Sequence, residues 1–516
     1  MLFKTEIIKS GIPRVVLFLL GVIIAGLIIR MNYIYEDIPL VLDSFRYFLL
    51  GIDISILGNF PDDYNKTNSG WSLFLALIFQ SSDSSNYLDY MMIQRISSVI
   101  FSVITAVPLY FLSQKFFRKE IAMVGVCFFI FSPFMIENSI LGITDSLFIF
   151  LLTSFLAMFF SKKKIIIMAS FIVLGFSTIV RYESLLLIFP SVIIFLYRYR
   201  DNKDFQKYVI VGVVLFLLVI TPISIWKTQM GIPDGIFSHL SGSVSTAINE
   251  NSVNSTSDDR VDFLRGIVNL PKFLAMSLLP IIFIFVPYGI IPLLKKQNNN
   301  FKHLVLFGII LCIPAFYAYC RGYEEIRYML FISPILIIAS LFLIERLNEK
   351  IKKNNLLLIG LMLLIVISSI IYLDFRKMDY EYEIASVEVA RFVSDLSGKI
   401  NGYGPEIYYL EVMYLEDNKF PILSSEINFE KKIMYPQGET INEIIQDSKE
   451  KGLSYLAVTA AGQNSNQILS KVYHEEENYP YLQKIYDSKD DGLKFNIKIF
   501  EINYDEFELV SNSDLL

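Results

Sequence analysis

Two adjacent carboxylates, Glu36 and Asp37, follow directly on the first long apolar run of the sequence, and polar groups of similar kind recur at the ends of later runs. Glu137 and Asn138 come next, then Asp145 after the short turn Ser139 to Gly142. Arg181-Tyr182-Glu183 lies between two further runs, and Arg321 with Glu324-Glu325-Ile326-Arg327-Tyr328 between two more. A carboxylate held near an acceptor hydroxyl can take its proton as the oxygen attacks a sugar carbon. An arginine can neutralise a departing phosphate through a planar fork that stays charged. These residue types suggest glycosyl or phosphoryl-linked transfer. Each residue alone also has a plainer reading, either a helix stop sitting in water or a charge that reaches up to the interface.

The elements that must position these residues are membrane helices. The chain has 516 residues, 54% of them hydrophobic, with apolar runs long enough to cross a bilayer. It reads as a polytopic α-helical membrane protein. The net charge of -6 gathers towards the C-terminus and gives no case for nucleic-acid binding. Cys127, Cys312 and Cys320 form no CxxC pair and have no histidine at ligand spacing, which excludes a disulfide framework and the usual zinc sites. His239, His303 and His474 are scattered. The first apolar run is long for a signal peptide and no small-residue cleavage site follows it, so it is read as a retained span.

About eleven spans are predicted from run length. They are Arg14 to Arg30, Met91 to Leu112, Ile121 to Ile136, Ile143 to Phe160, Ile165 to Val180 and Ser184 to Tyr197, then Tyr208 to Trp226, Pro271 to Leu294, Leu304 to Tyr319, Tyr328 to Ile344 and Leu356 to Leu373. Trp71 to Gln80 is apolar but too short to cross, and reads as an interfacial or re-entrant piece. Every second loop is basic: Lys115 to Lys119, Lys162 to Lys164, Arg198 to Lys207, Lys295 to Lys302 and Arg346 to Lys353. Basic loops stay in the cytoplasm. The expected topology therefore has a cytoplasmic N-terminus, with Glu36-Asp37, the loop Lys227 to Leu270 and everything after Leu373 outside. All the polar groups named above then gather on the outer face, and ionisable residues near membrane depth suggest function.

Several of these residues, in this order, resemble the polytopic glycosyltransferases of the GT-C superfamily. The acidic pair after the first span, Asp43-Ser44-Phe45-Arg46-Tyr47, Asn68-Ser69-Gly70-Trp71, Arg95, Ser132-Pro133, Leu141-Gly142-Ile143-Thr144-Asp145, Arg181-Tyr182-Glu183 and Arg327-Tyr328 followed by Pro334 carry the likeness, which extends from Met1 to about Leu373. In appearance they are similar to the dolichyl-phosphate-mannose protein mannosyltransferases of glycosyltransferase family 39 and to aminoarabinose lipid A transferases. The resemblance implies an inverting sugar transfer from a polyprenyl-phosphate-linked donor to a protein, lipid or glycan acceptor, at the extracytoplasmic face of the plasma membrane. It implies Asp37 as base, with Glu36 beside it either as its substitute or as an acceptor-positioning group; the family commonly has Asp before Glu, and the reversed order here leaves the base between the two. It implies Asp145, with Glu137 and Asn138, as acceptor- or metal-positioning groups. Arg181, Arg321 and Arg327, with Tyr328, become candidates for the lipid phosphate, Arg327 foremost because it opens an apolar helix. Arg95 can serve the phosphate or form an ion pair, and Trp71 can stack on a sugar or mark the interface.

No cofactor is required on this reading, and a divalent metal, Mg or Mn, stays an open question. Oligosaccharyltransferase catalytic subunits share the superfamily and use acidic residues around a divalent cation, but the Trp-Trp-Asp-Tyr-Gly signature of that branch is missing from a chain with only Trp71 and Trp226. A polysaccharide ligase and a lipid-linked sugar flippase or transporter are the competing functions; the absence of a convincing internal repeat weighs against the last. The expected organisation is a transmembrane module over residues 1–373, with its first outer loop at 31–90, and an extracytoplasmic α/β domain over 374–516. In that domain Glu383 to Leu396 and Thr440 to Lys451 read as helices, and Glu406 to Val412 and Leu453 to Thr459 as strands. Asp490-Asp491-Gly492 marks a closing hairpin.

Overall fold

A break in an apolar run shapes the membrane-embedded part of the chain. In the computed structural model, which describes residues 14–36, 38–40, 42–61, 68–82, 87–201, 203–229, 231, 262–278, 280–295, 299–351, 355–376, 380, 388–389, 392–393, 396–401, 433–460, 467–493 and 496–513, the run expected to cross once from Ile121 to Ile136 is two helices. These are α6 (Lys119–Ile130) and α7 (Pro133–Ile140), bent by 49°. Ser132 is extended, at φ -67° and ψ 124°, because a residue before proline is excluded from the helical region, and Pro133 then opens the next helix. Glu137 and Asn138, expected just beyond a helix end, consequently lie inside α7.

The other helices before Arg376 are α1 (Arg14–Asn32), α2 (Leu42–Leu57), α3 (Gly70–Phe79), α4 (Tyr87–Ile104), α5 (Ala106–Ser113), α8 (Asp145–Phe159), α9 (Lys164–Val180), α10 (Ile188–Arg198) and α11 (Lys203–Gln229). After them come α12 (Phe263–Met276), α13 (Pro280–Lys295), α14 (Asn299–Cys320), α15 (Arg327–Leu330), α16 (Ser333–Lys350) and α17 (Asn355–Phe375). Among the described residues five stretches are long and apolar enough to cross a membrane, or six with the bent α6–α7 pair. The protein is an integral membrane protein; the expected count of eleven is not confirmed. Pro280 opens α13, so the expected span Pro271 to Leu294 falls in α12 and α13. Part of the expected Lys227 to Leu270 loop is helix as well, in α11 and α12; the segment 232–261 lies outside the described residues.

Chain contacts form two units. The first contains Met1–Ile34, Tyr64–Leu75 and Ile93–Arg376; the second contains Tyr35–Asp63, Ala76–Met92 and Lys377–Leu516. In the first, α1 buries only Leu19, Val22, Gly26 and Arg30, one stripe at helical spacing. Gly26 is needed there because a methyl group would collide with Ile130. Arg30 is wholly buried. Its Nε donates to Ser139 Oγ (3.0 Å), Nη1 to the carbonyls of Gly26 (3.1 Å) and Ile130 (3.0 Å), and Nη2 to Ser102 Oγ (3.0 Å). The guanidinium thereby takes up the free carbonyl at the end of α6, the negative pole of that helix, and ties α1, α4, α6 and α7 together.

In the second unit, Phe45 of α2 stacks on Phe48 (6.1 Å), Phe48 meets Phe79 edge-on (5.9 Å), and Phe79 meets Tyr90 (5.4 Å). Its sheet has the order β2-β1-β3-β5-β4, from β1 (Lys399–Asn401), β2 (Ile433–Met434), β3 (Leu453–Thr459), β4 (Leu482–Asp487) and β5 (Ile497–Ile502). β1 pairs in parallel with β2 and β3, while β5 runs antiparallel to β3 and β4, closing the expected hairpin. Where the β1–β3 register slips, the Asn401 amide continues the ladder, donating to Ala457 O (2.8 Å) and accepting from Ala457 N (2.5 Å). Helix α18 (Ile441–Lys451) starts at Thr440, whose Oγ1 accepts from Glu443 N (3.2 Å), and stops at Gly452 with φ 70°. Helices α19 (Gln467–His474) and α20 (Tyr504–Ser513) complete the α/β fold around Ile444, Leu456, Val472 and Phe500. The expected strand Glu406 to Val412 and most of the expected helix Glu383 to Leu396 lie outside the described residues.

Arg30→Lys is expected to lower the stability of the solubilised chain by at least about 2 kcal/mol, because one ammonium cannot replace a fork serving four acceptors and leaves buried groups unmet. The thermal unfolding midpoint in detergent measures this.

Candidate functional site

Three charged side chains converge where α9 ends and α8 begins. Asp145 is the first residue of α8, where the unmet N–H groups of a helix start favour a carboxylate. Arg181 leaves α9 in an extended conformation, φ -147° and ψ 118°, and the following 3-10 turn Tyr182–Leu187 carries Glu183 back beside it. Arg181 Nη1 is paired with Asp145 Oδ1. Its Nη2 and Nε donate to Glu183 Oε1 at 2.6 and 3.1 Å. The Phe148 and Phe331 rings lie 5.6 and 5.9 Å from the guanidinium carbon. The three side chains are only 4 to 11% exposed. Two carboxylates thus share one guanidinium, and Asp145 Oδ2 and Glu183 Oε2 are buried with no protein partner among the described residues. The pairing was not anticipated from the sequence, where Glu183 stood beside Arg181 without a role of its own and Arg181 stood as a phosphate ligand. A guanidinium already shared by two carboxylates is a poor partner for a third anion.

The turn before Asp145 is fixed from inside. Gly142 adopts φ 71°, and its carbonyl accepts from Trp71 Nε1 (3.0 Å) and Gln94 Nε2 (2.7 Å). Trp71 is fully buried and stacked on Phe74. It therefore presents no exposed face on which a sugar could stack. Gln94, absent from the sequence reading, is also fully buried, while its neighbour Arg95 is half-buried on α4. Glu137 of α7 meets Arg376 Nη1 (3.4 Å), which also donates to Tyr372 OH (2.8 Å); Asn138 is buried.

A second charged group lies around the turn from Arg321 to Tyr328. Arg327 pairs with Glu325 and stands 5.6 Å from the Tyr328 ring centre; Arg321 is exposed. Glu324 receives Arg265 Nη2 (2.9 Å), Arg265 Nε (3.2 Å) and Asn269 Nδ2 (3.2 Å) from α12. The hydrogen bonds from Arg265, then from Asn269, hold the Glu324 carboxyl below the usual carboxylate range. This anchoring is complete at neutral pH and is lost as the pH falls through that lowered value.

Glu36 belongs to the second unit and is exposed. Asp37 lies outside the described residues. Among the described residues no three His, Cys, Asp or Glu side chains are grouped to hold a metal. At Asp145 and Glu183 a cation would compete with Arg181 for the same carboxylates, so these described residues do not fit a metal.

The model of the dolichyl-phosphate-mannose-protein mannosyltransferase family matches residues 89–226, which include Asp145, Arg181 and Glu183. No curated protein sequence matches the chain. Among solved structures, the oligosaccharyltransferase of Archaeoglobus fulgidus, in complex with Zn and sulfate, superposes with a TM-score of 0.58 at 10% identity, over 86% of this chain and 68% of that one. The same archaeal protein with an inhibitory peptide and a dolichol-phosphate gives 0.52 at 12% identity, over 86% and 69%. ArnT from Cupriavidus metallidurans, bound to undecaprenyl phosphate, gives 0.52 at 10% identity over 95% of this chain and 98% of its own.

Removing Arg181 leaves two buried carboxylates without their counter-charge, so Arg181→Leu is expected to cost about 3–5 kcal/mol. Asp145→Asn keeps the volume and an oxygen acceptor and is expected to cost no more than about 1.5 kcal/mol. Thermal midpoints of the two variants in detergent give the ordering, and equal midpoints would contradict it.

Proposed function

We propose that this chain, a GT-C superfamily member by fold, is a membrane glycosyltransferase that moves a sugar from a polyprenyl-phosphate-linked donor to a protein, lipid or glycan acceptor. The observation that carries the reading is the buried Asp145–Arg181–Glu183 cluster, inside the region matched by the mannosyltransferase family model. A chain that builds three ionisable groups into apolar surroundings bears a cost that packing alone does not call for. The solved relatives bound to undecaprenyl phosphate and to dolichol-phosphate support the lipid-linked class of donor.

In the proposed reaction the acceptor oxygen forms a bond to the anomeric carbon from the face opposite the leaving group. The bond from that carbon to the phosphate oxygen breaks, and its electron pair leaves with the phosphate. The acceptor proton passes to a carboxylate, which this reading assigns to Asp37 with Glu36 beside it. Arg327, on its short helix with Tyr328, and the exposed Arg321 are the candidates to neutralise the leaving phosphate, since Arg181 is engaged by Asp145 and Glu183. Asp145 then serves to position the acceptor. The alternation of basic loops supports a reaction on the extracytoplasmic face.

The test is transfer from a panel of radiolabelled polyprenyl-phosphate sugars in membranes carrying wild type, Asp37→Asn, Glu36→Gln, Asp145→Asn or Arg327→Leu, with and without chelator. Consumption of one donor by wild type, lowered at least about a hundredfold by the variant of the base, is the expected result. If folded wild type leaves every monosaccharide donor untouched but consumes a lipid-linked oligosaccharide, the oligosaccharyltransferase-like function replaces this one. Lipid translocation without transfer would indicate a flippase, and loss of transfer with chelator would establish a metal requirement.

A further inference from the structure

Asn68-Ser69-Gly70-Trp71 touches both sides of the charged cluster from a different part of the chain. Asn68 Oδ1 accepts from the backbone N–H of Tyr182, the residue after Arg181 (3.2 Å). Gly70 lies so near the end of α9 that a methyl group on it would stand 2.7 Å from Val180 N and 2.9 Å from Ile179 C, both rigid backbone. Trp71, one residue on, donates to the carbonyl of Gly142, three residues before Asp145 (3.0 Å). Asn68, Gly70 and Trp71 thus grip the backbone beside Arg181 and the turn that presents Asp145. Gln94 holds the same Gly142 carbonyl from α4, and Ser98 donates to Ser146 (2.9 Å).

The geometry points to Asn68, Gly70 and Trp71 as positioning residues, a brace that fixes the separation of Asp145 and Arg181. The inference rests on the reading of that cluster as part of the site. The arrangement suits the task. The brace acts on backbone atoms, so it sets where α8 begins and α9 ends without contributing a charge of its own. Gly142, in the left-handed region, has neighbours free to swing unless its carbonyl is held, and two buried donors converge on it. Glycine at position 70 is required by the approach to Val180, since any side chain would push α3 away from α9 and draw Trp71 off its acceptor.

The test uses the full chain in nanodiscs and compares wild type, Trp71→Phe, Asn68→Leu and Asp145→Asn. Trp71→Phe keeps the stacked ring and removes only the N–H. Backbone hydrogen exchange is expected to quicken about tenfold within 141–146 for Trp71→Phe and within 180–184 for Asn68→Leu, with other segments unchanged, as for a local opening. With whichever polyprenyl-phosphate sugar wild type consumes, both variants are expected to lose about tenfold to a hundredfold in kcat while KM stays within about threefold. Unchanged exchange in both segments, or faster exchange spread over the whole unit with a matching fall in thermal midpoint, would overturn the brace and leave ordinary packing in its place. If exchange responds as expected but Asp145→Asn transfers sugar like wild type, the brace stands and the assignment of Asp145 to the site fails.

Discussion

A guanidinium with no carboxylate beside it among the described residues, sealed among apolar helices, is the constraint on which the membrane unit depends. Arg30 can stay charged there only because oxygens from Gly26, Ser102, Ile130 and Ser139 surround it. One of these, the Ile130 carbonyl, exists as an acceptor only because α6 ends at that point. The bend at Ser132–Pro133 and the buried cation therefore require each other. The proline ends the helix and frees a carbonyl, and the arginine makes that carbonyl tolerable away from water.

From this junction the consequences run along the chain in short steps. α7 is fixed at Ser139, the turn at Gly142 follows, and Asp145 opens α8 directly after it. Arg181 reaches Asp145 because α9 stops where the chain turns extended, and Glu183 returns through a tight 3-10 turn. The electrostatics differ from those of Arg30. At Arg30 one cation meets neutral oxygens, whereas at Arg181 one cation meets two carboxylates. A local shortage of positive charge is thus built close to a helix start whose dipole partly offsets it.

Much of this was legible in the sequence, and what was not has identifiable causes. Run length pointed to a polytopic membrane protein, and the order of short motifs to a resemblance to the GT-C superfamily. Asp145 and Arg181 were singled out because they are polar residues at the ends of apolar runs. Their union with Glu183 was not visible, because Asp145 and Arg181 stand 36 positions apart across two helices whose crossing no local pattern encodes. The helix breaks were not visible because apolar length says nothing of where proline divides a run, as at Pro133 and Pro280. The hydrogen bond of Trp71 was not visible because an exposed tryptophan and a buried one that donates to a carbonyl look alike in one dimension. In the second unit, Thr440, Glu443 and Gly452 are local signals that act over a few residues, so α18 was read almost to its ends.

The narrow stripe by which α1 touches its neighbours bears on how the chain tolerates change. Leu17, Leu20, Ile24 and Ile28 are turned outward, about 47 to 63% exposed, towards what in a bilayer is acyl chain. Lipid tails conform to any apolar shape and do not distinguish leucine from isoleucine, valine or phenylalanine. Leu19, Val22, Gly26 and Arg30 meet fixed surroundings. Homologous chains are thus expected to drift freely around most of this helix and to keep a single line of residues every three or four positions. Variation along α1 would then trace which side faces lipid.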